Sequence, residues 1–120
     1  MYSKRQNKVS RLIQKELAQL FQADRLITNQ VFITVTTVRI SSDLALAKVY
    51  LSIFPLQQEE KTNPELKEEI FNGIKSHGKQ FRKKLGDRMK NQIRAIPNLE
   101  FFIDDSLDYE DNIENLLNKG

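Results

Sequence analysis

The stretch Val31-Phe-Ile-Thr-Val-Thr-Thr-Val-Arg-Ile40 constrains this chain more than any other. It is rich in β-branched and aromatic residues and free of glycine and proline, so it favours an extended backbone. Its alternation changes phase. Ile33 and Val35 share one parity and Val38 and Ile40 the other, which predicts a bulge or a strong local twist near Thr36-Thr37. Ser41-Ser42-Asp43 follows, with side-chain oxygens suited to a turn. Ala45, Ala47, Val49, Leu51 and Ile53 then define one face of a second strand that ends at Pro55. A connection this short predicts an antiparallel hairpin, and Ala45 and Ala47 would let a helix approach the sheet closely.

Helical periods flank the hairpin. From about Lys4 to Ala23, Val9, Leu12, Ile13, Leu17, Leu20 and Phe21 make one apolar face. Lys4, Lys8, Arg11 and Lys15 fall within roughly 60° on the other side. After the polar loop Gln57–Asn63, Asn63 as N-cap, Pro64 at the first position and Glu65, Glu68 and Glu69 mark a second helix start. Leu66, Ile70, Phe71 and Ile74 face inward. Gly73 and Ser76-His77-Gly78 predict a kink. Beyond it Phe81, Leu85, Met89 and Ile93 continue inward, with Ile96 before Pro97. Leu99–Ile103 reads as a third strand. The order helix, strand, strand, kinked helix pair, strand is an α+β domain.

Charge is placed unevenly. The formal net charge is +3, yet residues 75–95 hold eight basic side chains against the single acid Asp87. Of these, Lys79, Lys83, Lys90 and Arg94 share roughly 60° of a helical wheel. Lys84 and Arg88 lie on the opposite flank, and Lys75 precedes the kink. Arg82 falls inside the apolar arc, so its stem is expected to pack and its guanidinium to find a carboxylate or a backbone carbonyl. Such a helix attracts phosphates with little sequence preference. Base reading usually needs exposed aromatic platforms. Tryptophan is absent and most of the phenylalanines occupy core-like positions, so recognition of backbone and shape is favoured.

Chemistry is sparse. Cysteine is absent and His77 is the lone histidine, which excludes cysteine- or histidine-rich metal sites. No phosphate-cradling glycine loop or nucleophile–base signature occurs. The acidic run from Asp104 to Asp111 has Tyr109 where a calcium loop needs glycine and Asn115 where it needs a bidentate carboxylate. Neither a cofactor, a metal nor a small-molecule substrate is expected. No apolar leader or membrane-length run is present, so a cytoplasmic protein is the default. The boundaries expected are a domain over residues 1–106 and an acidic, mobile tail over 107–120.

Several separated motifs, in order, resemble the ribosome-binding factor A family of bacteria. They are the opening helix with Arg5, Val9 and Ile13; Ser41-Ser42-Asp43-Leu44; Ala47-Lys-Val49-Tyr50-Leu-Ser52; Phe81-Arg82; Leu85-Gly86; Met89; Arg94-Ala-Ile-Pro97-Asn-Leu99-Glu-Phe101; and Asp104-Asp105-Ser106. The resemblance spans about residues 4–117. It implies a type II KH-like domain, with a three-stranded sheet and its helices packed on one face. It also implies that the usual Gly-x-x-Gly loop gives way to an Ala-x-Gly kink. Ser76-His77-Gly78 occupies that place here, with serine for alanine. The family is a non-enzymatic assembly factor that binds the small ribosomal subunit through its rRNA and assists late rRNA maturation, notably on cold adaptation.

On that footing the two basic helix faces are expected to form one electropositive surface, acting as a monomer and away from membranes. Its contact residues would be Lys4, Lys8, Arg11, Lys15, Lys75, Lys79, Lys83, Lys84, Arg88, Lys90 and Arg94. The alternatives are a general KH-type single-stranded RNA-binding module, and a membrane-surface or protein-interaction module using the first helix.

Overall fold

Ser3 opens the first helix by a reciprocal cap. Its hydroxyl accepts from the Gln6 N–H at 3.1 Å, and the Gln6 side chain accepts from the Ser3 N–H at 2.8 Å. In this computed structural model, which describes residues 3–24, 31–55 and 64–104, helix α1 covers Lys4–Ala23. Val9, Ile13, Leu17 and Phe21 are buried at i, i+4 spacing, with Leu12 and Leu20 half-buried beside them.

Strand β1 is Val31–Ile40, β2 is Leu46–Pro55 and β3 is Asn98–Ile103. They form one sheet in the order β1-β2-β3. The β1–β2 pair is antiparallel and its register shifts between Val35 and Thr37. Thr36 is the extra residue, so Val31, Ile33 and Val35 before it and Val38 and Ile40 after it all reach the same core. The expected phase break is thus a bulge. It also frees the Thr36 hydroxyl to donate to Asp104 Oδ2 at 2.6 Å, tying β1 to the end of β3.

At the hairpin tip the Ser41 hydroxyl donates to Asp43 Oδ1 at 2.6 Å. The Ala45 N–H donates to that carboxylate at 3.1 Å, and the Leu46 N–H donates to Ser41 Oγ at 3.0 Å. Leu44 takes a left-handed φ of 60°, held by its N–H to the Ser41 carbonyl. This network absorbs Ala45. It is exposed and lies before β2, not on the strand's inner face as its parity suggested, whereas Ala47 is fully buried.

The β2–β3 pair is parallel, which requires a crossover. Helices α2 (Pro64–Ser76) and α3 (Gly78–Met89) supply it. Helix α2 starts at Pro64 with Glu65 in its first turn, as expected; Asn63 lies outside the described residues. Phe81, Leu85 and Met89 of α3 are buried. Phe21, Phe81 and Phe101 meet edge to face, with ring centroids 5.0, 6.5 and 6.4 Å apart. Every large buried strand residue has the parity that faces these helices, so among the described residues the helices cover one face and not the other, where Phe32 is exposed and Ser52 is buried.

Helix α3 stops earlier than its apolar period suggests. The Gln92 and Ile93 N–H groups both return to the Met89 carbonyl, at 2.8 and 3.0 Å, which folds the chain into a turn. That turn lets Pro97 deliver the chain to β3 at Asn98.

Candidate nucleic-acid interface

Lys4, Lys8, Arg11 and Lys15 are all exposed on α1. With Asn7 and Leu12 they line a shallow groove made of α1 residues alone. This stripe stands where the wheel put it, opposite the buried face.

The second set is less uniform. Lys79 and Lys83, one turn apart, line an open pocket with Arg82, Ile96 and Asn98. Arg82 donates from Nε to the Pro97 carbonyl at 3.2 Å and from Nη2 to the Ile96 carbonyl at 2.9 Å. The expected carbonyl partners are therefore real. The residue stays exposed, however, and shares a wall with two lysines, so its position does not set it apart from their pocket. Lys84 is exposed on the other flank of α3. Lys90 is the C-cap, and Arg94 lies in the bend beyond it. Because α3 ends at Met89, Arg94 does not extend the Lys79–Lys83 stripe along a helix as the wheel proposed.

Two of the expected contact residues have partners within the fold. Arg88 Nη1 donates to Glu16 Oε2 at 3.1 Å and to Gln19 Oε1 at 2.9 Å, bridging α3 to α1. Lys75 Nζ sits 4.9 Å from the centre of the Phe71 ring, a cation–π contact. The Arg88 partnership joins two helices and is not visible from either alone, whereas Lys75 and Phe71 are an i, i+4 pair within α2. Lys4, Lys8, Arg11, Lys15, Lys79, Lys83, Lys84, Lys90 and Arg94 form no ion pair with a described residue.

The kink has a defined acceptor. His77, between the helices at φ −98° and ψ 16°, sends its N–H to the Gly73 carbonyl at 3.1 Å. The Ser76 hydroxyl donates to the same oxygen at 2.9 Å, and His77 Nδ1 lies 2.8 Å from it. The Nδ1 contact is a hydrogen bond when that nitrogen carries the proton, which leaves Nε2 as the outer nitrogen. Serine thus contributes a bond that alanine has no atom for. Gly78 sits over the Phe101 ring, and a Cβ there would meet it at 3.8 Å, an ordinary van der Waals contact, so the space itself does not demand glycine.

The outer ends of the two cationic sets lie far apart. Glu16 and Gln19 meet Arg88 while Phe21 meets Phe81, so α1 and α3 run in opposite senses. Lys4 lies seventeen residues before Phe21, about 25 Å along the axis, whereas Lys79 is next to Phe81. The Glu16–Arg88 bridge lies between. One continuous electropositive surface was expected; the outer ends, Lys4 and Lys79, stand far apart on the helical side, while Lys15 adjoins Glu16 and Lys90 lies two residues from Arg88, on either side of the bridge.

The open face of the sheet has no counterpart among the residues singled out from the sequence. Phe32 is 51% exposed, Phe54 opposes it across β1–β2, and Tyr50 stacks on Phe102 with centroids 5.3 Å apart at 24°. Arg39 and Lys48 oppose each other on the same face. The signal was present as strand parity, but parity alone does not say which face is covered. Among the described residues no cluster of three potential metal ligands occurs, and no helix is long and apolar enough to cross a membrane.

With this geometry in hand, comparison with known proteins is informative. The family model described as ribosome-binding factor A matches residues 5–117. Ribosome-binding factor A of Cytophaga hutchinsonii is 47% identical over 120 residues, covering 99% of this chain and 84% of the relative. That of Flavobacterium johnsoniae is 40% identical, covering 98% and 85%. Among solved structures, the crystal structure of the Thermus thermophilus factor aligns with a TM-score of 0.60 at 23% identity, over 85% of this chain and 97% of that one. A second T. thermophilus structure, a homology model fitted into a cryo-EM map of a 30S complex, aligns at 0.56 and 23% identity, over 78% and 89%. Those two likenesses show a shared fold, and the α+β architecture is KH-like. Matched along nearly its whole length by the family model and by these two relatives, the chain belongs to the ribosome-binding factor A family.

Proposed function

We propose that this protein binds the small ribosomal subunit through its rRNA and assists late rRNA maturation, including during cold adaptation. It acts in the cytoplasm, as a monomer and without catalysis. Family membership supports the ribosomal partner, and so does the T. thermophilus relative, whose coordinates were fitted into a 30S complex. The observation that carries the reading is the set of exposed lysines and arginines on the helical side with no carboxylate partner among the described residues. Cations left in water at that density cost little alone and gain by displacing counterions from phosphates.

Cations spread along two opposed helices suit a folded RNA better than a short single strand, since their outer ends, Lys4 and Lys79, meet different backbone segments. Binding one rRNA conformation more tightly than another shifts their populations by that difference in affinity, and no covalent step is needed.

Reversing Lys79, Lys83 and Lys90 together to glutamate tests the reading. Co-sedimentation with purified small subunits is expected to fall at least about tenfold at low salt, with a shallower salt dependence and an unchanged melting temperature. Undiminished co-sedimentation of the triple variant would refute it.

A further inference from the structure

The helical cations account for phosphates but leave the opposite side of the molecule without a role. There, in successive rows along β2, stand the Arg39–Lys48 pair, the Tyr50–Phe102 stack, the half-buried Thr34 beside Ser52, which is buried with its hydroxyl on the Asp104 carbonyl, and Phe32 beside Phe54. Like charges set directly opposite each other on a sheet are unfavourable. Neither Arg39 nor Lys48 forms an ion pair with a described residue, although Glu100 is Lys48's neighbour in register on β3. An anion seated between the two cations relieves their repulsion. The exposed Phe32 and the half-buried Phe54, Tyr50 and Phe102 are the other half of the pattern.

We propose that the open face of the sheet binds an unpaired stretch of RNA, its bases stacking on Tyr50–Phe102 and on Phe32 while a phosphate meets Arg39 and Lys48. The cations and the ring stack are two residues apart on β2, about 7 Å, close enough for one nucleotide to engage both. From Lys48 to Phe54 the strip runs about 20 Å, room for a few extended nucleotides that pass over the buried Ser52 between the two aromatic rows. A protein partner fits less well, because interface centres are depleted of lysine, and the facing Arg39–Lys48 pair, in no ion pair with a described residue, calls for an anion beside the rings. The proposal uses the reading of this chain as an rRNA-binding factor only to name the polymer. It assigns a surface distinct from the helical patches, and one that takes bases where they take backbone.

Fluorescence anisotropy with a labelled single-stranded uridine 12-mer tests it, alongside co-sedimentation with small subunits. Two substitutions spare the fold: F32S alters a side chain already half in water, and F102L keeps apolar volume while removing the π face. Each is expected to weaken oligonucleotide binding roughly 5- to 150-fold, the loss of one base–aromatic stack, with the salt slope unchanged and circular dichroism melting intact. R39E/K48E is expected to weaken binding and flatten the slope.

The failures separate. If the oligonucleotide binds equally well to wild type, F32S and F102L, or does not bind wild type, the sheet proposal is overturned whatever the lysine triple variant does to co-sedimentation. If F32S and F102L lower co-sedimentation while leaving the oligonucleotide untouched, the face takes a protein and the proposal is likewise overturned. Loss of oligonucleotide binding in these variants sustains the proposal, even where the lysine triple variant still co-sediments and the helical reading fails.

Discussion

Phe101 and Phe102 are adjacent in β3, yet the first is 5% exposed among the helices while the second lies half-buried on the open face, stacked on Tyr50. Pleating sends consecutive side chains to opposite faces, so the same residue type serves two purposes within one dipeptide. Phe101 meets Phe21 and Phe81 edge to face and helps close a core shared by all the helices and strands. Phe102 meets one ring and then solvent. The covered face holds the molecule together, and the uncovered face is available to whatever the molecule meets.

The largest effect tests that division directly. Phe101→Ala removes a buried ring from a three-way cluster, and about 3–5 kcal/mol of stability is expected to go with it. Phe102→Ala loses one cross-strand stack on a half-solvated face, for about 0.2–1 kcal/mol. Urea unfolding followed by circular dichroism measures both. Comparable losses at the two positions would abolish the distinction between the faces.

Glycine sharpens the contrast on the helical side. A Cβ at Gly73 would meet nothing within 4 Å, whereas one at Gly86 would press on Ile96 Cγ1 at 3.3 Å. Gly73→Ala is therefore expected to stabilise by about 0.5–1 kcal/mol through helix propensity. A loss of stability at Gly73 would mean that the kink, whose three donors converge on the Gly73 carbonyl, depends on the backbone freedom of that glycine. Arg88→Ala breaks a partly exposed bridge to Glu16, worth about 0.2–1 kcal/mol. Because that bridge is electrostatic, its contribution should shrink in 1 M salt while that of Phe101 does not.

Much of this architecture was legible because its signals are local. The phase break in Val31–Ile40 is a bulge, Ser41 and Asp43 form the turn, and the interruption at Ser76–Gly78 is the join between helices. What escaped depends on distant groups. The period Met89, Ile93, Ile96 continues helically past the point where two N–H groups converge on Met89. Arg88 looked like one more free cation until α1 placed Glu16 beside it, and only the opposed senses of α1 and α3 carry Lys4 away from Lys79. The exposure of Phe32, Phe54 and Phe102 turns on which face the helices cover, a tertiary fact that alternation does not contain.

The smallest effect lies at the hairpin tip, where a group belongs to neither face. The Ser41 hydroxyl, and after it the Ala45 N–H, donate to the Asp43 carboxylate and hold its pKa below the ordinary value of 3.8. A carboxylate depressed in the folded state stabilises it fully above the unfolded pKa, near 4, and that contribution fades as pH falls through the lower folded value. Between pH 6 and pH 2.5 the native protein should therefore lose more stability than Asp43→Asn, with the two curves parallel above about pH 5. The side chain is fully exposed, so water already satisfies much of what these bonds supply and the difference should be far below that at Phe101. Curves parallel throughout would show that two good hydrogen bonds on an uncovered turn add nothing, which would place the whole stabilising weight of the molecule on the covered face.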